Sequence, residues 1–360
     1  MEVRTVSLRD FRCYESARVE FGPGLTVLTG DNGKGKTSIL EAVAWFATGR
    51  SFRSSDDEVL VRTGANEAVA AVEMLDREGR EHRLAVEIPR RGRTRVKIDG
   101  KNAVRKRDGG RLLHVTVFGP DDLELVKGAP QLRRDLLDDL LVALAPRYEA
   151  ARADVERILR QRNAALRSER PDSTTLDVID EQFAFAGAEL VRGRLRLIER
   201  LIGPVNQAYA KLAGAGEFAL EYEAGWRDLN DPESVESELH RALSQSRTRD
   251  LERRLTTTGP QRDDVRVVLD GRDARTQASQ GEVRSLALSM RLASHTVVES
   301  LIGDHPIVLL DDVFSELDGK RAAALGDALP PAQTLVTSAI GVPAGLVASH
   351  VIEVDRNALR

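Results

Sequence analysis

The sequence contains a single cysteine, Cys13, in 360 residues, few aromatics (4%), and no long apolar run. One thiol cannot close an internal disulfide, so a reducing compartment, the cytoplasm, is expected. With so few rings, the core must come from valine, leucine, isoleucine and alanine. No apolar run reaches the roughly 18–20 residues of a membrane helix. The opening MEVRTVSLRDFRCYE has charges every few residues and none of the apolar segment of a secretory signal. No membrane partner is therefore expected. Charge of one sign is missing too: 53 Lys and Arg stand against 57 Asp and Glu, a net charge of −4. Any nucleic-acid binding has to come from a local patch. The histidines (82, 114, 240, 295, 305 and 350) show no metal-ligand spacing and make no triad with Cys13, and are assigned structural roles. Zinc-finger spacing, an aromatic-rich RNA signature, sustained heptads and internal repeats are also absent.

What is there reads as α/β. VRTVSL, ARVEF and LTVLTG alternate or run apolar like strands. KTSILEAVAWFATG follows as a helix closing at Gly49, a candidate C-cap. AVAAVEML, RLAVEI, RVKID and LHVTVF continue as strands, with Asp99-Gly100 as a turn. From about residue 121 the pattern turns helical, cut by prolines 130, 146, 171, 204 and 232, with EFALEYE as its one strand and helix resuming over 233–254. Strands return after TTTGPQRDD, as DVRVVLD, PIVLLDDVF, QTLVTSA and HVIEVD. The expectation is a mixed-sheet head in two halves, 1–120 and 256–360, interrupted by a mostly helical arm, 121–255.

GDNGKGKT, comprising Gly30, Asp31, Asn32, Gly33, Lys34, Gly35, Lys36 and Thr37, matches G-x-x-x-x-G-K-[ST] between a strand and a helix. The glycines let backbone N–H groups turn toward an anion, and the helix start adds its positive dipole end. Lys36 is expected on the β- and γ-phosphates of ATP, and Thr37 on Mg²⁺. The apolar strand ending in Asp311-Asp312 supplies the acids: Asp311 for Mg²⁺, Asp312 to polarise the attacking water. About 270 residues separate the two motifs, far more than in a small kinase. The Asn-Lys-x-Asp that reads guanine is absent.

ASQGE before the acidic strand and SELD directly after it resemble the signature and D-loop of ABC-type ATPases. The resemblance implies an ATP site shared between two protomers, with Ser279 and Gly281 of one facing the γ-phosphate held by the other. In isolation, Ser279 and Glu282 read as an ordinary helix capping box. LRDFRCYE, SILEAVAW…GRSFR, VFGPDDLELVKGAPQLRRDLLD and TGPQRDD, in this order, resemble the RecF family over essentially the whole chain. That implies an ABC-type ATPase head with an inserted arm, and Arg12 near bound nucleotide. It further implies an ATP-dependent homodimer on double-stranded DNA, a weak DNA-stimulated ATPase, and RecA loading with RecO and RecR. The alternatives are the nucleotide-binding subunit of a transporter and an SMC-type chromosome-organising head. The sequence departs from these patterns at Gln261, where His is usual, at Gln280 and Glu282 of the signature, and at Thr337-Ser338, where transporters carry a switch His. Asp312 is also one methylene shorter than the usual Glu. These departures point to slow turnover.

RRGRTRVKIDGKNAVRKR, residues 90–107, is the candidate DNA patch, through Arg91, Arg93, Arg95, Lys97, Arg105, Lys106 and Arg107. Cations alternating on a strand pair can meet successive phosphates without reading bases. The bland reading is a solvated hairpin. A second basic set, Arg192, Arg194, Arg196 and Arg200, lies in the arm.

Overall fold

In the computed structural model, which describes residues 1–54, 56–226, 234–355 and 358–359, the chain divides into two compact units. The first comprises Met1–Asp122, Lys211–Gly214 and Leu288–Arg360, the second Leu123–Ala210 and Ala215–Ala287. The strands are β1 (Glu2–Phe11), β2 (Tyr14–Glu20), β3 (Leu25–Thr29), β4 (Glu67–Leu75), β5 (Glu81–Pro89), β6 (Arg95–Ile98), β7 (Lys101–Asn102), β8 (Val115–Phe118), β9 (Phe218–Glu223), β10 (Asp264–Leu269), β11 (Arg272–Asp273), β12 (Ile307–Asp311), β13 (Thr334–Ser338), β14 (His350–Asp355) and β15 (Ala358–Leu359). The helices are α1 (Lys36–Thr48), α2 (Glu124–Lys127), α3 (Pro130–Leu144), α4 (Pro146–Arg167), α5 (Ser173–Ala213), α6 (Val235–Arg253), α7 (Ala274–Gln277), α8 (Gln280–Ile302) and α9 (Gly319–Ala328).

The first unit holds two sheets. One is antiparallel, in the order β2-β1-β4-β5-β6-β7; the other runs β15-β14-β3-β13-β12-β8 and is parallel from β14 to β8. Strands β12 and β13 are buried at every position, as inner strands of a parallel sheet are. Helix α1 is apolar nearly all round because both sheets cover it. Ile39, Leu40, Val43 and Phe46 share one core with Val6 and Val72 of the first sheet and Leu28, Leu309 and Leu335 of the second. Gly49 ends α1 in the left-handed region and donates to the Trp45 carbonyl. Asp99 and Gly100 both have positive φ, 50° and 78°. They close the β6–β7 hairpin as a two-residue turn whose twist matches the strands.

The second unit carries helices and the sheet β11-β10-β9. Sequence reading returns the chain to the head at 256, whereas the compact unit continues to Ala287. The reason is pairing: β10 lies antiparallel along β9, Val267 against Leu220. Prolines 130 and 146 open helices at the first position. Pro204 does not cut one: it sits inside α5. The side chain of Asn206 donates to the Ile202 carbonyl and pairs with both the N–H and the carbonyl of Phe218, tying this turn to β9. Pro232 and Glu233, read as a helix break and a helix start, lie outside the described residues.

The motif at 117–138, from Leu123 on, and the motif at 258–264 serve this unit's interior. Arg133 forks onto Asp264, Arg134 donates to the Asp263 carbonyl, and Arg194 forks onto Asp138 and reaches the Pro260 carbonyl. Asp263, pushed up to about 6 by burial, accepts from Tyr222 and Trp226. Arg194 is thus an internal ion-pair residue and not part of a DNA-facing stripe. Arg162 is completely buried and donates to Asp180, Asp250 and Thr256 at 2.6, 2.7 and 3.0 Å. Replacing it by Met should cost about 3–5 kcal/mol, because the wholly buried Asp250 loses its cation. Urea unfolding checks this, and a variant within about 0.5 kcal/mol of wild type would contradict it.

Candidate active site

Parallel register brings the sequence-predicted residues to one edge. Strand order β3-β13-β12 places Thr337 beside Leu28 on one side and Asp311 on the other. The loop after β3 and the acids that end β12 therefore emerge at the carboxyl ends of parallel strands on either side of β13, where open α/β sheets take ligands.

The loop 30–35 turns tightly. Gly35, at φ 106°, caps α1. A Cβ there would lie 2.5 Å from the Tyr14 hydroxyl and 2.7 Å from Cys13 Sγ. The β1–β2 turn thus backs the loop too closely for a side chain. Gly30 is equally constrained, since its Cβ would meet the Val354 carbonyl of β14 at 2.6 Å. The Ser38 and Ile39 amides of α1 turn back onto the Gly35 carbonyl, which leaves the amides before them as the free start of the helix. Lys36 is buried; its ammonium donates to the Gly30 and Asp31 carbonyls at 2.5 and 2.9 Å. Burial pushes it below the ordinary lysine value, opposed by the charges of Asp312, Asp31 and Asp311. Lys34 pairs with Asp355 at 3.0 Å, leaving its backbone as its contribution to the loop. Asp31, Asn32 and Gly33 are exposed.

Asp311 is buried, and its Oδ1 accepts from the hydroxyls of Thr37 (2.7 Å) and Thr337 (2.9 Å). Burial pushes its carboxyl above the usual range, while the two hydroxyls and the charge of Arg53 pull it down. Thr337 Oγ1 also accepts from the Asp312 N–H at 2.9 Å. Sequence reading noted Thr337 only for not being histidine; here it holds both acids. Its signal was position, at the end of the strand between β3 and β12. Asp312 itself is left-handed (φ 54°), which Asp tolerates better than most residues.

Arg12 forks onto the wholly buried Glu41 of α1 and donates to the Val59 carbonyl. Its guanidinium braces the helix behind the loop. Glu41 also accepts from Ser51, so the GRSFR segment is anchored on the same carboxylate.

Ser279 and Gly281 belong to the second unit. Ser279 is exposed and forms the capping box with Glu282: its N–H donates to the Glu282 carboxylate at 2.7 Å, and its Oγ accepts from the Glu282 N–H at 3.3 Å. The Ser279 N–H, and its hydroxyl second, hold the Glu282 carboxyl below the usual value.

The basic segment is more neutralised than the sequence implies. Arg95 and Lys97 share one face of β6, but Glu87 on β5 lies between them, 2.9 Å from Arg95 and 3.0 Å from Lys97. Lys106 pairs with Asp57 at 2.6 Å. Arg105 and Arg107 flank it at the helical turn Lys106–Arg111, off the strands. Arg91 and Arg93 lie in the exposed β5–β6 turn and not on a strand, and have no acidic partner among the described residues.

Residues 2–340 match the family described as RecF/RecN/SMC N terminal domain. The chain is 41% identical over 355 residues to a DNA replication and repair protein RecF of Acidothermus cellulolyticus, covering 95% of each. Its fold superposes on a recombination mediator RecF solved with ATP, TM-score 0.92, 24% identity, covering 100% of this chain and 97% of that one. It also resembles an Smc head from Pyrococcus furiosus, TM-score 0.59, 16% identity, covering 100% and 96%.

Proposed function

The chain belongs to the RecF family of ABC-type ATPase heads, and from that premise we propose an ATP-dependent DNA-binding protein of recombinational repair and replication-fork recovery. ATP closes a homodimer on double-stranded DNA, slow hydrolysis releases it, and the protein acts with RecO and RecR in loading RecA. Names of relatives support the pathway: they are replication and repair proteins, and the solved mediator belongs to a RecFOR pathway.

The observation that carries the reading is the convergence of Lys36, Thr37, Asp311, Asp312 and Thr337 at one sheet edge. Loop amides and the Lys36 ammonium take the phosphates. The oxygen donors of Thr37 and Asp311 suit a hard cation such as Mg²⁺. When bound, Mg²⁺ neutralises charge on the β- and γ-phosphates. Asp312, held by Thr337 through its backbone, orients and polarises the water. Ser279 Oγ and the Gly281 amide of the second protomer complete the γ-phosphate contacts. Without that partner each site is half built, which suits a switch better than a pump.

DNA contacts rest on the segment 90–107, and the neutralised pairs narrow them to Arg91 and Arg93 first. Reversing both to Glu should weaken duplex binding at every sequence and lower the log–log salt slope by about two, one per lost phosphate contact. ATP binding should not change. Fluorescence anisotropy across a salt series, with and without ATP, reads both. An unchanged slope would return the segment to a solvated hairpin. Sedimentation with ATP and DNA then tests the closed dimer separately.

A further inference from the structure

The histidines that look scattered in sequence do not stay so. His295 and Glu299 are one turn apart on α8, and His305 follows in the short connection to β12. Their ligand atoms all lie within 4.8 Å of one another. His295 is 1% exposed. Its Nδ1 bonds Thr116 Oγ1 of β8 at 3.1 Å, while its Nε2 is buried with no hydrogen-bond partner. His305 Nδ1 is also buried without a hydrogen-bond partner, although Glu299 Oε1 lies only 2.8 Å away. The other Glu299 oxygen is 3.8 Å from His295 Nε2.

A buried imidazole nitrogen with no partner, 3.8 Å from a carboxylate that already faces a second imidazole, is costly in a protein interior unless something bridges the three groups. We propose that His295, Glu299 and His305 form a site for a divalent transition metal of the zinc class. The donor set is two imidazoles and a carboxylate, as zinc takes, with a fourth position for water. The Thr116 hydroxyl can accept from Nδ1–H, and in that tautomer the Nε2 lone pair is left to the metal. His305 and Glu299 are 40% and 33% exposed, which gives an ion access from solvent.

The site clamps the end of α8, and the connection that follows, to β8. It stands just before β12, a strand that runs about 13 Å from Ile307 to Asp311 at ~3.3 Å per residue. The metal therefore staples the strand that carries the acids without touching nucleotide.

The test uses the full chain, stripped with chelator and free of nucleotide, titrated with Zn²⁺ against a chromophoric chelator in excess Mg²⁺. The Mg²⁺ occupies oxygen-rich acids but not an imidazole site. One Zn²⁺ per chain is expected, with a rise in melting temperature, and Co²⁺ should give visible absorption. His305→Ala changes a partly exposed residue and should fold normally by circular dichroism. It should lose more than the about 10–100-fold that Thr116→Val, an outer-shell change, costs in affinity. Failure of the wild-type chain to bind Zn²⁺ under these conditions, or equal binding by His305→Ala, overturns the site.

Discussion

Lys36→Met is expected to abolish ATP-dependent dimerisation and DNA retention while the chain stays folded. The side chain is buried, but what surrounds it is its own loop: its partners are the Gly30 and Asp31 carbonyls. Met keeps an unbranched chain of nearly the same length and removes the ammonium with its donors to those two carbonyls. Asp312, Asp31 and Asp311 oppose the effect of burial, which favours a charged ammonium. That ammonium is the compact cation available to the β- and γ-phosphates. A hydrogen bond to a charged group contributes about 1.5–3 kcal/mol, and losing it from a multiply charged ligand costs at least about tenfold in affinity. The cost to closure is larger, since both composite sites of a dimer lose their cation. Nucleotide binding by a fluorescent ATP analogue and sedimentation velocity with and without ATP read the two effects, and thermal melting checks the fold. A variant that dimerised on ATP like wild type would remove the loop from the mechanism.

What was legible in the sequence was local. The phosphate loop, the Gly49 cap and the Asp99-Gly100 turn each rest on backbone conformations that few residues accept, so their residue types give them away. The strand ending in Asp311 was legible from its apolar run. What escaped depends on register between distant segments. Glu87 neutralises Arg95 and Lys97 because β5 and β6 pair as they do, and no count of charges within 90–107 contains it. Pro204 looks like a helix break, yet it sits inside α5, whose next residues bond to Phe218 of β9 through Asn206. Residues 256–287 read as head because they form strands and a turn; their unit is decided by β10 pairing with β9. Thr337 has no motif at all: only the order β3-β13-β12 makes a threonine there the holder of two acids.

Ser279 gives the sharpest separation of two readings, because a good helix cap and a good phosphate contact ask for different side chains. The capping box is present in the single chain, and it would exist in a protein that never dimerised. Ser279→Asp keeps an N-cap of equal quality, so α8 and the melting temperature should hardly change. It also sets a carboxylate where the second protomer's γ-phosphate is to dock, so ATP should bind one protomer normally and fail to close the pair. Ser279→Arg should fail likewise, with a further cost of about 1 kcal/mol for the lost cap. Mixing Ser279→Asp with Lys36→Met then tests sharing directly. In a mixed dimer, one site joins the intact loop of the Ser279 variant to the intact signature of the Lys36 variant, and the other carries both lesions. ATP hydrolysis by the mixture, measured as phosphate release, should rise above either variant alone. Wild-type hydrolysis by Ser279→Asp on its own would reduce the segment to a helix cap. Loss of ATP binding by its monomer would instead put the segment in its own protomer's site.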